Sequence, residues 1–201
     1  MDARPTRPAG RPRDPGLDLA IRSAALDLLA EGGLEACALD AVARRAGVGK
    51  ATIYRRWASK DDLVVDVLRS APVSTGPLDT DWADADLVTG ARALLLGLVA
   101  VLDTPMSRAT RQLMPYLATH PELVEVYRAG PAASWGQAML DLVARAEARG
   151  EIPVGALPPV VLRAAAAMIT QRWLMQLGPV DDALVDELVE GLVRPLVAAR
   201  S

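Results

Sequence analysis

One stretch of 22 residues limits the fold more than any other part of the chain, and it reads LDAVARRAGVGKATIYRRWASK, residues 39–60. Its first apolar residues recur at the three- and four-residue spacing of a helix face: Leu39, Val42, Ala43 and Ala46. Gly47 should end this helix, because Gly adopts the left-handed backbone conformation at little cost. A second helix should begin near Gly49–Lys50 and be anchored to the core by Ile53 and Trp57, which are four residues apart.

The stretch that contains the second helix is strongly basic. Between residues 44 and 60 there are six basic residues and no acid: Arg44, Arg45, Lys50, Arg55, Arg56 and Lys60. A helix, a Gly-containing turn and a basic second helix are typical of a helix-turn-helix, whose second helix enters the major groove of DNA. The pattern by itself leaves open a surface helical hairpin with a solvated basic face.

The residues of this region resemble the TetR family of bacterial transcriptional regulators. The resemblance covers residues 17–68 and rests on Ala-Gly-Val, Thr-Ile-Tyr, an aromatic residue and Ser-Lys at the family's spacing. Trp57 stands where the family usually has Phe. Ala38 stands where Ser or Thr usually caps the first motif helix, a loss of ~0.5–2 kcal/mol, which Asp40 in the first turn should partly offset through the helix dipole.

Within this motif we expect two kinds of DNA contact. Residues facing the base edges are expected to be Lys50, Ala51, Thr52 and Arg55. Residues contacting phosphates are expected to be Arg44, Tyr54 and Lys60, with the backbone N–H groups of Gly49 and Lys50 adding a phosphate contact at a helix N-terminus. Arg56 also points away from the apolar anchor and is assigned to the same DNA-binding surface.

Composition indicates an all-α chain in which small and branched aliphatic residues fill the core. Apolar residues make up 51% of the chain and aromatic residues only 3%, while strand signals are poor. Three regions are expected: a disordered Arg- and Pro-rich arm (1–16), a helix-turn-helix domain (17–70) and a C-terminal regulatory and dimerisation domain (81–201). The Pro- and Gly-rich stretch 71–80 should separate the two domains. The arm either reaches DNA through its arginines or is an inert tail.

Apolar spacing and helix-breaking residues predict where the helices begin and end. Ser59 should cap the helix after the motif, with Asp62 at capping-box spacing. Pro115 should interrupt the helix predicted for residues 106–119. Outside the motif, the predicted helices are 17–30, 59–70, 83–102, 106–119, 121 to the break at Gly130–Pro131, 132–149, 160–177 and 181–199.

The last helix has an apolar arc that is too wide for a single core. A helix facing one core needs an apolar arc only a little wider than ~100°. Here the arc fills half a turn, and the candidate interface residues on it are Leu184, Leu188, Leu192 and Leu196. The preceding helix is nearly apolar all round, with Arg163 and Arg172 its only charges. These last two helices from each of two chains would make a four-helix bundle, and the resemblance implies the same homodimer, with the final two helices as its interface. A monomeric buried hairpin is the alternative.

A set of flexible, flat and polar side chains on the C-terminal helices suits an adaptable pocket for a small apolar effector. The candidates are Met114, His120, Trp135, Met139, Met168, Gln171 and Trp173. The alternative is that most of them fill the core.

Other chemistry finds little support in the sequence. One His and one Cys leave no plausible transition-metal cluster, and Gly49–Lys50 lacks the glycine and the hydroxyl residue of a phosphate-binding loop. We therefore expect no metal, no cofactor and no enzyme.

The lone Cys37, the absence of a hydrophobic leader and a longest apolar run of only ten residues indicate a cytoplasmic protein without a membrane span.

Charge is divided unevenly between the two halves. The net charge of −3 is the sum of +2 over residues 1–69 and −5 over residues 70–201. The basic motif therefore lies in the more basic half.

We expect a homodimeric TetR-like repressor that a small molecule releases from a palindromic operator in double-stranded DNA. A ligand-independent regulator, or an enzyme built on the same fold, remains the alternative.

Overall fold

The computed structural model describes residues 14–70, 85–117, 119–129 and 131–198, and every regular element in these ranges is helical. This confirms the expected all-α class. The helices are α1 Pro15–Ala36, α2 Leu39–Arg45, α3 Lys50–Tyr54, α4 Lys60–Ser70, α5 Leu87–Leu102, α6 Pro105–Leu113, α7 Pro121–Ala129, α8 Pro131–Ala148, α9 Pro159–Leu174, α10 Asp182–Leu188 and α11 Arg194–Ala198. The greater part of the predicted arm and the predicted linker lie outside the described residues.

Helix α1 begins earlier than predicted because Asp14 caps it. The Asp14 carboxylate accepts a hydrogen bond from the Gly16 backbone N–H at 3.0 Å, and Pro15 occupies the first turn, where its missing N–H costs nothing. The first helix therefore begins two residues before the predicted residue 17.

The predicted break at the end of α1 is present, but the helix resumes after it. Gly32 and Gly33 have non-helical backbone angles, and Gly33 has a φ of 66°. A Cβ on Gly33 would lie 3.4 Å from the backbone oxygen of Gln112 in α6, so Gly allows the two backbones to approach closely.

The motif folds as the sequence predicts. Helix α2 begins after Ala38 without a side-chain cap, as expected from the missing hydroxyl. Gly47 has a φ of 66°, and the next N–H, on Val48, donates to the Ala43 carbonyl at 3.0 Å, which closes the turn. Helix α3 follows Gly49, and it too has no side-chain cap.

The first hydrophobic core joins the helix-turn-helix to the C-terminal part of the chain. Ile53 and Trp57 are buried in it, at 0% and 7% exposure, against α1, α2 and α4. Ala109 and Leu113 of α6 are buried in the same core, as is Leu123 of α7. The domain division at residues 71–80 therefore does not separate two independent cores.

The remaining helices differ from prediction mainly at their ends. Helix α5 begins at residue 87 rather than 83, because the Asp86 carboxylate caps it through the Thr89 N–H at 2.9 Å. The interruption at Pro115 is confirmed: α6 ends at Leu113, and a single 3-10 turn, Met114–Tyr116, follows it. Helix α9 covers 159–174 instead of 160–177.

The last helix is not continuous. A π-helical turn, Val189–Val193, separates α10 from α11. Pro195 has no backbone N–H to donate to the carbonyl of Gly191, four residues earlier, which accounts for the irregular hydrogen bonding here. The sequence prediction of one regular helix over 181–199 was wrong in this respect.

Membrane-spanning potential is low in the part of the chain that the structure describes. No single helix there is both long and apolar enough to cross a bilayer. Only α5 taken together with Pro105–Tyr116 meets the length and composition criterion, and these two segments meet at a 78° bend.

Candidate nucleic-acid interface and regulatory domain

Helix α3 has one buried side and one exposed side. Its anchor, Ile53, is fully buried. Most of the predicted DNA-binding residues are exposed, namely Arg44, Gly49, Lys50, Ala51, Tyr54 and Arg55, while Thr52, Arg56 and Lys60 are partly buried. The helix therefore presents a basic, accessible face opposite its anchor.

Two of these exposed residues share one acid of α2. The Asp40 carboxylate accepts a hydrogen bond from the Lys50 ammonium at 2.5 Å and one from the Tyr54 hydroxyl at 3.4 Å. The Lys50 contact is the largest cause that holds the pKa of Asp40 below its usual value. Because this pair is exposed to solvent, Lys50 can exchange Asp40 for another anion at little cost.

Arg56 does not belong to the exposed face. Its Nε donates to the Asp18 carboxylate of α1 at 2.5 Å, with side-chain exposures of only 14% for Arg56 and 18% for Asp18. Its Nη1 also donates to the Thr52 carbonyl at 3.3 Å. Its neighbour Arg55 is exposed. The structure thus gives Arg56 a contact inside its own domain instead of the outward position that was predicted.

The next residue, Trp57, is also held by a carboxylate. Its indole N–H donates to Asp66 of α4 at 3.0 Å, and Arg22 of α1 donates to the same Asp66 oxygen at 3.0 Å. The sequence analysis identified Trp57 as an apolar anchor but missed its polar partner. The sequence did contain a signal of polar contacts to this region: Asp18 and Arg22 are an acid and a base four residues apart on α1, and residues at this spacing lie on one helix face.

Two acids late in α1 lie close to the basic residues of the motif. Glu31 pairs with Arg45 at 2.8 Å, and this contact lowers the pKa of Glu31 and raises that of Arg45. Glu35 lies 3.9 Å from the Lys60 ammonium. The basic stretch 44–60 has no acid of its own, and its neighbouring carboxylates come from α1 and, for Lys50, from Asp40 of α2.

The predicted pocket residues do not form one group. Met139 is 4% exposed and packs in the core of α5 and α8, whereas Met168 is 50% exposed and Gln171 is also exposed. The prediction that these three line one cavity finds no support in these positions. The partly buried members of the predicted set are Met114, His120, Trp135 and Trp173.

Trp173 connects α9 with the helix that packs on the DNA-binding core. The guanidinium of Arg111 in α6 lies 4.9 Å from the Trp173 ring centroid, a cation–π distance. Near the end of the same segment, His120 packs edge-on against Tyr116 at 6.1 Å. Trp173 therefore contacts α6, and the Tyr116–His120 pair lies in the segment that follows α6.

The predicted dimer residues divide into buried and half-buried positions. Leu188 is 4% exposed and belongs to the core of its own subunit, so it offers little surface to a partner. Leu184, Leu192 and Leu196 are half-buried. Helix α9, which was predicted to form the interface together with the last helix, carries the more exposed stripe, at three- and four-residue spacing; its apolar members are Val160, Ala164, Ala167, Met168 and the following Met175, and the polar Gln171 lies among them.

Neither metal chemistry nor thiol chemistry finds a site in the described ranges. No group of three His, Cys, Asp or Glu side chains there could hold a metal ion. Cys37 is buried, its Sγ lies 3.8 Å from the Ala25 carbonyl oxygen, and burial raises the pKa of its thiol to about 11.

Two family descriptions match almost the whole described chain. Residues 21–67 match "Bacterial regulatory proteins, tetR family", and residues 77–192 match "Tetracyclin repressor-like, C-terminal domain". The first covers the helix-turn-helix, and the second covers more than half of the chain.

Curated relatives agree with these matches. A DNA-binding transcriptional repressor TetR of Mycobacteroides abscessus is 29% identical over 89% of this chain and 92% of its own length. An HTH-type transcriptional regulator of Bacillus subtilis is 45% identical over 86 residues, which cover 42% of this chain and 43% of that relative. With this second relative, the similarity is therefore limited to less than half of each protein.

Solved structures share the fold. A TetR-family transcriptional regulator from Rhodococcus sp. has a TM-score of 0.68 at 18% identity, over 88% of this chain and 98% of that one. NalD of Pseudomonas aeruginosa, the secondary repressor of the MexAB-OprM multidrug efflux pump, has a TM-score of 0.60 at 23% identity, over 92% and 96%. At these identities the likeness concerns the arrangement of helices alone.

Proposed function

Because the chain belongs to the TetR family of DNA-binding transcriptional regulators, we propose that it is a repressor that leaves a palindromic operator when a small apolar molecule binds its C-terminal domain. As a member of this family it binds DNA as a homodimer. The observation that best supports operator reading is the exposed basic face of α3, held from behind by the buried Ile53.

In this proposal α3 lies in the major groove. Its base-facing residues are Lys50, Ala51, Thr52 and Arg55; the Arg55 guanidinium suits a guanine edge, and the Ala51 methyl suits a thymine methyl. Arg44, Tyr54 and Lys60 contact phosphates, as do the N–H groups at Gly49 and Lys50, and these contacts position the helix without reading sequence. Arg56 leaves the set of contact residues, because Asp18 holds its guanidinium.

The proposed dimer interface consists of the exposed stripe of α9 together with Leu184, Leu192 and Leu196. An apolar stripe on a helix that is already packed on its own core suits a second helix pair, and two such pairs form a four-helix bundle. Two-fold symmetry then presents one α3 from each subunit to successive turns of the major groove, which is why the operator should be palindromic.

The proposed effector site lies among Met114, His120, Trp135 and Trp173. Its link to DNA is α6, because Ala109 and Leu113 of this helix share the first core with α1. Two of the similar proteins are named as repressors, and one of them represses a multidrug efflux pump. An adaptable site of aromatic and Met side chains suits a small apolar ligand. Bacterial DNA, the proposed partner, lies in the cytoplasm, where we place the protein.

The test begins with selection of a duplex from a randomised library by the wild-type dimer. Two-fold symmetric sequences are expected, and a library that yields no enriched sequence would contradict operator reading. Hydrophobic probes such as 1-anilinonaphthalene-8-sulfonate are then titrated, with and without the selected duplex, while Trp135 and Trp173 fluorescence is followed. An inducer must bind the two states differently, typically by ~5–150-fold. Equal affinity in both states would favour the ligand-independent regulator.

A further inference from the structure

The recognition helix α3 cannot hold its own orientation. It has five residues, far below the ~12–15 at which an isolated helix becomes marginally stable. No side chain caps its N-terminus at Gly49. The angle at which it meets DNA therefore depends on tertiary contacts, namely the buried Ile53 and the contacts of the residues that follow α3 in the chain.

Those contacts converge on one carboxylate of α4. Asp66 accepts a hydrogen bond from the indole N–H of Trp57 at 3.0 Å, which ties it to the end of the recognition segment. It also accepts from Arg22 of α1, at 3.0 Å from Nε and 3.5 Å from Nη2. Arg22 and Asp66 are each about one-third exposed, at 32% and 34%, and Trp57 is 7% exposed. A single side chain thus joins three elements of the DNA-binding domain.

A second pair, adjacent in sequence, extends this connection. Arg56 pairs with Asp18, which lies four residues before Arg22 on α1. Helix α1 therefore has an acid, Asp18, and a base, Arg22, on the same face. Asp18 pairs directly with Arg56, whereas Arg22 is joined to Trp57 through Asp66. Charge is balanced within the group, so neither pair leaves an uncompensated charge at the base of α3.

We propose that Asp66 is the positioning residue of the recognition helix: it holds Trp57 and Arg22 together, and so sets the orientation in which α3 meets the base edges. This inference rests on the proposed reading of DNA by α3. Bidentate base contacts have strict geometry, whereas phosphate contacts tolerate small rotations. Loss of the Asp66 contact therefore lowers sequence discrimination and leaves non-specific binding intact.

The experiment compares affinity for the selected duplex with affinity for poly(dI-dC), measured by fluorescence anisotropy at several salt concentrations. Trp57→Phe keeps an aromatic ring in the core and removes the N–H donor. Asp66→Ala removes the acceptor, and the double variant completes a cycle. Asp61→Asn is the matched control, because it removes the same charge from the same helix without touching Trp57.

Trp57→Phe is expected to reduce discrimination at least about fivefold, in keeping with the loss of a hydrogen bond to a charged acceptor. The affinity for poly(dI-dC) and its salt slope should stay as in the wild type. In the Asp66→Ala background, Trp57→Phe should cost nothing further. Asp61→Asn should leave discrimination unchanged.

Three results would overturn the assignment. Trp57→Phe with wild-type discrimination would show that the hydrogen bond does not orient α3. Equal losses on both DNAs, together with a lower melting temperature by circular dichroism, would show a role in stability alone. A wild-type protein that selects no sequence would remove the proposed function itself, and that outcome is visible before any variant is made.

Discussion

The chain offers two surfaces to other macromolecules, and they differ in how their side chains are satisfied without the partner. On the DNA-facing surface, the ammonium groups of Lys50 and Lys60 each lie within 4 Å of an acid of the same domain. On the α9 surface, Val160, Met168 and Met175 are 57%, 50% and 66% exposed. These two lysines are paired inside the monomer, whereas the apolar surface still exposes area that a partner can bury.

This difference predicts different dependences on solution conditions. Binding through basic side chains releases counterions and weakens as salt rises. Association through apolar area depends chiefly on protein concentration and little on salt, because it removes apolar surface from water. A variant of the DNA-facing surface should therefore change the salt dependence, and a variant of the α9 surface should change the dependence on protein concentration.

The largest effect is expected from a charge on the apolar surface. Met168→Asp should convert the dimer to a monomer in sedimentation, because an unpaired carboxylate would be buried between subunits. Operator affinity should then fall by about 10²–10⁴-fold, as the avidity of two linked recognition helices is lost. Val154→Asp is the control, since Val154 is 87% exposed on a loop. A stable Met168→Asp dimer would place the interface elsewhere.

The neighbouring residues Arg55 and Arg56 should separate recognition from stability. Arg56→Ala should lower the free energy of unfolding by ~1–3 kcal/mol, because Asp18 is left largely buried without its partner. Arg55→Ala should change that free energy by less than ~0.5 kcal/mol and lower base discrimination by ~1–3 kcal/mol. Chemical denaturation and competition binding measure the two quantities. If Arg55→Ala lowered stability and Arg56→Ala lowered base discrimination, the roles given to these two arginines would be reversed.

A smaller and uniform effect is expected at the proposed phosphate contacts. Lys60→Ala should reduce the slope of log affinity against log salt by about one unit per subunit. Tyr54→Phe should weaken binding to all sequences alike, by ~0.5–1.5 kcal/mol. Both are measured on the selected duplex and on poly(dI-dC). A loss confined to the selected duplex would show that these residues read bases.

The smallest effect is expected at Asp40, whose side chain is 39% exposed. Its pKa is lowered in the folded protein chiefly by Lys50, so its contribution to stability is present above its unfolded pKa near 4 and is lost as pH falls through the folded value. Asp40→Asn should therefore flatten the acid side of the stability profile. It should also slightly raise affinity for any DNA, because Lys50 no longer has an internal anion. Weaker DNA binding by Asp40→Asn would instead indicate that Asp40 orients Lys50 productively.

Local signals explain which elements could be predicted. The apolar spacing of α2, the turn at Gly47 and the cap at Ser59 each depend on residues fewer than five apart. The structure confirms the cap, because the Asp62 N–H donates to the Ser59 hydroxyl at 3.1 Å. The start of α5 was missed by four residues although Asp86 is a good cap residue, because acids cluster along the segment before it and any of them could begin a helix.

Contacts between distant residues explain the errors. Arg56 was assigned to DNA because its own helix points it outward, but its partner Asp18 is 38 residues away. Leu188 fits the apolar arc as well as Leu192 does, yet one packs in the core and the other lies at its edge. Periodicity assigns residues to a face of a helix, and only packing decides which part of that face is covered.

The sequence by itself determined the helical class, the helix-turn-helix and its basic character, because these follow from backbone preference and from residues within one or two turns of each other. The tertiary structure alone decided that α6 enters the DNA-binding core, that Asp66 joins Trp57 to Arg22, and which residues of the apolar helix α9 stay exposed. Each of these depends on which surfaces meet when the helices pack, and a contact such as that of Arg22 with Asp66, 44 residues apart in the chain, leaves no periodic trace in the sequence.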